Sequence, residues 1–266
     1  MDLGLAGKRA LVTGGNAGIG AACARALHAE GVSVAIVARD EQRLHATAHD
    51  IAAQPSEGGQ AILLPLRGDL ARAEDVERVV ATALERFGHL DILINNAGSA
   101  RTGAFLDLPD EAYLEAWTLK LLGYIRLVRT VAPHMIARRD GRIVNIVGGA
   151  ARTPSPAFLA GSTTNAALIN FTRGVSKELA KHNVRINAIS PGMTATERAH
   201  RLAEQRAAIN GRTVEQEMAE SVRAIPLGHM VDPAEIAAMA VLLVSDRVPS
   251  ITGAEILLDG GATPGI

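Results

Sequence analysis

Residues 11–20 read LVTGGNAGIG, an apolar run that ends at a threonine and gives way to glycines before a helical pattern begins. Gly14, Gly18 and Gly20 permit a tight turn and a close approach of backbone to ligand. A helix opening directly behind them aims its free N–H groups at the same space, which suits a pyrophosphate. Asn16 and Ile19 complete that loop. The spacing is G-x-x-x-G-x-G rather than G-x-G-x-x-G, so the loop alone is a modest signal. Its surroundings settle the matter.

Short β-branched runs alternate with longer helical stretches on its C-terminal side, the pattern of repeated βαβ units around a parallel sheet. Strands are expected at 9–12, 33–37, 61–65, 92–95, 142–147, 185–189 and 255–258, and helices at 18–30, 40–53, 73–87, 110–137, 157–181 and 232–245. Seven strands with helices between them require right-handed crossovers and helices on both faces, a doubly wound α/β fold of Rossmann type. No Pro-, Gly- or Ser-rich linker divides the chain, so residues 1–266 read as one domain. The stretch 193–225 breaks the rhythm. It reads as two helical pieces interrupted at Asn210-Gly211, positioned to act as a lid over substrate, or else as a solvated helical hairpin.

Hydrophobic residues make up 48% of the 266 and the formal charge is −1, which allows a full core and argues against nucleic acid or an anionic membrane as partner. Cys23 is the only cysteine, so no internal disulfide forms, which fits a reducing compartment. No apolar run reaches membrane-spanning length and the N-terminus lacks a signal-peptide core, giving the expectation of a cytoplasmic protein. His134, His182, His200 and His229 show no metal-ligand spacing, and no metal is expected.

TGGNAGIG, then NNAG at 95–98, then SPG at 190–192 resemble the short-chain dehydrogenase/reductase superfamily, its 3-oxoacyl-carrier-protein reductases in particular. The similarity runs from about residue 5 to the LDGG at 258–261. It implies a seven-stranded sheet and a bound nicotinamide dinucleotide. The acid that ends the second strand in NAD-preferring members is replaced by Ala38, followed by Arg39. A guanidinium pairs with a 2′-phosphate, which favours NADP over NAD; alternatively Arg39 stacks on adenine or pairs with Asp40. The resemblance further assigns Asp69 and Leu70, the backbone of Asn96, Ala97 and Gly98, and Pro191, Gly192, Thr194 and Thr196 to cofactor contacts.

The family reduces carbonyls with Asn, Ser, Tyr and Lys. The ungapped stretch NAALINFTRGVSKELAKHNVRINAISPG puts the lysine position at Asn165 and the tyrosine position at Gly161. RIVNIVGG puts the serine position at Gly148, and WTLKLLGY puts the asparagine position at Lys120. All four roles are changed. Phe158 is the nearest aromatic and has no hydroxyl. General acid catalysis is worth roughly 10²–10⁴-fold, so the ordinary mechanism is expected to be lost while Asn165 still offers hydrogen bonds to a ribose.

One cation remains. Lys120 either donates a proton itself, directly or through water, or merely bridges to a carbonyl and fills space. Tyr113, Trp117, Lys120 and Tyr124 share one helical face, which reads as core or interface, although a displaced Tyr124–Lys120 pair is conceivable. Ser99, Ser155, Ser162, Thr163 and Thr164 lack a neighbouring base; Ser99 and Ser162 are placed to line a pocket. Two functional classes follow. One is an NADP-dependent oxidoreductase acting on a small carbonyl or alcohol with rebuilt proton delivery. The other is a non-catalytic NADP-binding protein that senses ligand or partners an active relative. A third would be a lyase or isomerase using Lys120 as base, with any nucleotide structural. The resemblance also implies a homo-oligomer, tetramer or dimer, formed through helices 110–137 and 157–181.

Overall fold

The computed structural model describes residues 2–264. Its strands are β1 (Arg9–Thr13), β2 (Ser33–Ala38), β3 (Leu63–Arg67), β4 (Ile92–Asn95), β5 (Gly141–Ile146), β6 (Val184–Pro191) and β7 (Glu255–Leu258). All pair in parallel in the order β3-β2-β1-β4-β5-β6-β7. The direction of winding reverses between β1 and β4. In an open parallel sheet, that is where ligands bind, beyond the carboxyl ends of the strands.

Helices α1 (Gly18–Ala29), α2 (Glu41–Ala52), α3 (Ala73–Phe87), α4 (Asp110–Ala116), α5 (Gly123–Arg138), α6 (Leu159–Leu179), α7 (Glu197–Asn210), α8 (Val214–Arg223) and α9 (Pro233–Val244) connect them. Strand alternation divides the core in two. Ala10 and Val12 of β1 face α1, α2 and α9 through Cys23, Leu27, Leu44, Ile51, Ile236 and Val241. Leu11 of the same strand faces α3 and α5 through Val79, Ala83, Leu127 and Val131. Val, Ile, Leu and Ala dominate both layers, as a chain with 3% aromatic residues requires.

Two sequence expectations are corrected. The third strand lies at 63–67 rather than 61–65. Pro65 sits inside it, paired opposite Ile36, where the sequence reading ended the strand. Because β3 is an edge strand, the N–H that proline lacks has no ladder partner to disappoint. The expected helix 110–137 is three pieces: between α4 and α5, residues Trp117–Leu122 form a π-helical turn. Such a turn is rare, widens the backbone locally and concentrates at functional sites. Lys120 stands inside it.

Candidate active site

The loops after β1, β4, β5 and β6 surround a cavity of about 970 Å³ that is also lined by α7 and by Ser221 of α8. One end is built by the glycine loop. Gly14 and Gly18 line it with φ of +64° and +50°, a conformation that side chains resist. Gly20 lies behind the loop, where an added Cβ would stand 2.2 Å from the Gly14 carbonyl oxygen, so its role is close packing. Helix α1 opens at this end with no side chain capping it, which leaves the N–H groups of Gly18 and Ile19 at the cavity wall, beside the N-cap residue Ala17. A cradle of bare, positively polarised backbone fits a pyrophosphate.

Neighbouring side chains hold that cradle in shape. Thr13 Oγ1 accepts from the backbone N–H of Asn96 (2.9 Å) and of Ala97 (3.1 Å). Asn96 Nδ2 donates to the carbonyls of Thr13 (3.1 Å) and Gly14 (3.3 Å). The Asn16 carbonyl accepts from Arg43 Nε and Thr47 Oγ1. Asn16, read as part of the cofactor loop, and Leu70, assigned to the cofactor by resemblance, are not among the lining residues, and Leu70 is buried in the core. Pro191, Gly192, Thr194 and Thr196 all line the cavity; Thr196 also caps α7, accepting from Ala199 N at 3.4 Å.

Arg39 and Asp69 lie together on a second cavity of about 600 Å³, which meets the first at Ser99 and Ala100. Asp40 is engaged as the N-cap of α2, accepting from Arg43 N, and Arg39 is exposed. Asp69 Oδ1 accepts from Ala71 N at 3.0 Å, so its second oxygen is the one left for a ligand.

The four positions assigned to the tetrad, Lys120, Gly148, Gly161 and Asn165, all reach the first cavity. Lys120 and Asn165 bind each other: Lys120 Nζ donates to Asn165 Oδ1 at 2.9 Å and also to the Val147 carbonyl. Asn165 Nδ2 leans towards the Gly148 carbonyl at 3.5 Å. An ammonium has three N–H donors, so one remains for the cavity. Burial, aided by the charge of Arg198, pushes the Lys120 ammonium down to about 7. The stem of Lys120 crosses Gly98, where an added Cβ would come within 2.7 Å of its Cδ; a side chain at 98 would displace the lysine.

Gly161 faces the ring of Phe158. A Cβ on Gly161 would meet Phe158 Cζ at 2.1 Å, so the aromatic ring one turn earlier occupies the space over the glycine. Tyr124 points elsewhere: it is buried, its hydroxyl donates to the Ile146 carbonyl at 3.1 Å, and burial raises its phenol well above the usual range. Lys120 Nζ lies 5.9 Å from the centre of its ring, a cation–π approach rather than a proton relay. Ser99, Ser155 and Thr164 line the cavity. Ser162 does not; its hydroxyl turns back to the Leu159 carbonyl.

Sequence reasoning missed Arg198. It projects from the first turn of α7, lines the cavity, and donates through Nη1 to the Gly98 carbonyl at 3.2 Å. A readable signal existed: a cation in a helix's first turn opposes the helix dipole. It also missed the bidentate pair of Arg43 Nη2 with Glu197 at 2.8 and 2.7 Å, which ties α2 to α7 across the glycine loop. Among the described residues no cluster of three or more His, Cys, Asp or Glu could hold a metal, and no helix is long and apolar enough to cross a membrane.

Comparison with known proteins agrees with this geometry. A family model described as "Enoyl-(Acyl carrier protein) reductase" matches residues 14–263. The short-chain reductase protein NovJ of Streptomyces niveus is 37% identical over 95% of this chain and 92% of its own. The oxidoreductase UcpA of Escherichia coli O157:H7 is 33% identical over 97% of this chain and 95% of its own. Among solved structures, L-sorbose reductase from Gluconobacter frateurii, complexed with NADPH and L-sorbose, superposes with a TM-score of 0.94 at 31% identity, covering 100% of both chains.

Proposed function

The chain belongs to the short-chain dehydrogenase/reductase family, and from that premise we propose that it is an NADP-dependent oxidoreductase of small carbonyl or alcohol compounds, with Lys120 as its proton donor. The observation that carries this reading is the amine itself: a half-buried ammonium with two acceptors fixed and one N–H left over, on the cavity that the glycine loop serves. Relatives bound to NADPH in their solved structures support the cofactor, as does the exposed Arg39 beside Asp69.

Gly14, Gly18, Ile19 and the start of α1 would hold the pyrophosphate; Asn165, Pro191, Gly192, Thr194 and Thr196 lie on the wall beyond it. When bound, the reduced nicotinamide supplies hydride to a carbonyl carbon. Lys120 then gives its free proton to the developing alkoxide, and Asn165 with the Val147 carbonyl keeps the amine from swinging away. Helices α7 and α8, residues 193–225, serve as the lid that excludes water. The segments 110–137 and 157–181 form the contact of a homo-oligomer, in keeping with Leu114, Trp117 and Leu122 at 55%, 37% and 40% exposure on the first of them.

A second reading, a cofactor-binding protein without turnover, draws on Phe158, which fills the space at the former tyrosine position Gly161, and on the Lys120–Asn165 bond, which ties the former asparagine and lysine positions to each other. Calorimetric titration with NADPH and NADH, followed by a panel of carbonyl compounds, separates the two. Preferred NADPH binding, lost in Arg39→Ala, with carbonyl-dependent NADPH oxidation abolished by Lys120→Ala, supports the enzyme. NADPH binding with no turnover on any carbonyl supports the second reading, and equal affinity for both nucleotides removes Arg39 from the argument.

A further inference from the structure

The first cavity has a charge imbalance that its structure leaves open. Five basic side chains line it, Arg43, Lys120, Arg198, Arg201 and Arg206, against the two acids Glu197 and Asp259. Three of the five are already answered. Arg43 pairs with Glu197 at 2.7 Å, Arg201 reaches the same carboxylate at 3.8 Å, and Arg206 lies 3.9 Å from Glu217. Asp259 is turned to the backbone N–H groups of Gly261 and Thr263. That leaves Lys120 and Arg198, whose polar partners are the Val147 and Gly98 carbonyls and the neutral Asn165. Neither has a carboxylate partner among the described residues.

The two cations converge on one residue. The Lys120 stem packs on the Cα face of Gly98, and Arg198 Nη1 hydrogen-bonds that glycine's carbonyl. One comes from the π-helical turn and the other from the first turn of α7. Holding two like charges near each other without an anion is unfavourable. Burial and the charge of Arg198 depress Lys120, and burial and Arg201 depress Arg198. Arg198 also sits where the α7 dipole opposes it. Local energetics argue against each choice, which is the usual mark of a site built for something absent from the chain itself.

We propose that Lys120 and Arg198 form an anion-binding subsite, and that the carbonyl compound this cavity takes carries an acidic group, carboxylate or phosphate, within a few bonds of its carbonyl. Arg198 is the anchor, its planar fork matched to either anion. Lys120 faces the carbonyl oxygen, and its charge completes the positive field. The short reach follows from both side chains meeting at Gly98. This rests on the reading of the cavity as a nicotinamide-dependent active site.

The test uses the wild-type protein saturated with NADPH and matched pairs of probes: pyruvate, levulinate and 2-oxoglutarate against their methyl esters, and dihydroxyacetone phosphate against dihydroxyacetone. Affinity is read by the change in NADPH fluorescence. At least one acid is expected to bind about tenfold or more tightly than its neutral partner, since a hydrogen bond to a charged group is the strong kind. The pair that shows the preference tells carboxylate from phosphate. In Arg198→Met the preference should fall to near unity while the affinity for NADPH itself changes less than threefold. No preference in any pair, including no binding at all, overturns the proposal. So does a tenfold loss of NADPH affinity in Arg198→Met, which would give Arg198 to the cofactor's phosphates. Wild-type protein that does not bind NADPH is a separate result; it removes the cofactor reading itself.

Discussion

Lys120 Nζ and Asn165 Oδ1 are 2.9 Å apart, so the cation and the amide that the resemblance finds in exchanged positions are joined to each other. The bond has a direction: the amine donates, the amide oxygen accepts, and the amide nitrogen is left for the Gly148 carbonyl. A neutral amine would still donate, but only the ammonium has a proton to give away.

Turnover should therefore track the ammonium form of Lys120. With that group pushed down to about 7, kcat for carbonyl reduction is expected to hold below neutrality and fall about tenfold per pH unit well above it. An ordinary lysine would hold its rate to pH 10. A reductive rate that stays flat from pH 6 to 9 would remove Lys120 as donor. Replacing the asparagine by aspartate (Asn165→Asp) sets an anion beside the amine and should move the fall to higher pH.

The same depression leaves a mark on stability without any substrate. In the unfolded chain Lys120 binds its proton up to its ordinary value of 10.5, whereas in the fold it releases it near 7. Across that window the unfolded state holds more protons, so stability rises with pH, by at most about 1.4 kcal/mol per unit for one proton. Cys23 works the other way: burial lifts its thiol from 9.0 to about 12, so above pH 9 folding forgoes an ionisation that the unfolded chain gains. The clean interval is pH 7–8.5. There the melting temperature of wild type should climb relative to Lys120→Met; parallel curves would mean that the amine is not desolvated.

The fold was legible because its information is local. A glycine loop between a strand and a helix, and seven apolar runs at βαβ spacing, need no tertiary knowledge to read. The third strand slipped by two residues because proline ends a strand only where its N–H would be needed, and edge position is a tertiary fact. The π-helical turn at Trp117–Leu122 left no trace: WTLKLL holds neither glycine nor proline, and its wide turn is imposed by packing. Lys120 was found through register, Arg198 was not. Arg198 was visible only as a helix-start cation of the wrong sign, a cue that carries weight once the cavity is known. Phe158 was noticed for the hydroxyl it lacks, although its consequence is the space it fills.

That space yields a change of sign. Gly161 lies inside α6, where alanine is better than glycine by about 0.5–1 kcal/mol. Against this, the new methyl would run into the Phe158 ring, and overpacking costs roughly 1–3 kcal/mol. Gly161→Ala is expected to destabilise wild type in denaturant titration, and to stabilise Phe158→Ala by about the helix-propensity difference. If alanine helps in both backgrounds, the ring is not held over the glycine. A tyrosine introduced at 161 meets the same obstacle, so restoring the family's acid requires removing Phe158 first.

The Arg43–Glu197 pair makes a prediction about timing. Arg43 belongs to α2 and touches the glycine loop at the Asn16 carbonyl; Glu197 begins α7. Their contact ties the cofactor half to the proposed lid. Both side chains are largely exposed, at 39% and 64%, so the pair contributes little to stability, about 0–1 kcal/mol. Its effect should appear instead in motion: a lid released at this point opens more often. Glu197→Gln is therefore expected to leave the melting temperature nearly unchanged while NADPH dissociates several-fold faster in stopped-flow chase, and the wild-type rate should rise towards that of the variant in high salt, which screens the pair. Equal dissociation rates at low salt would show that the pair does not govern the lid, leaving the buried Glu217 contacts to Asn210, Arg206 and Arg212 as what holds α7 and α8 in place.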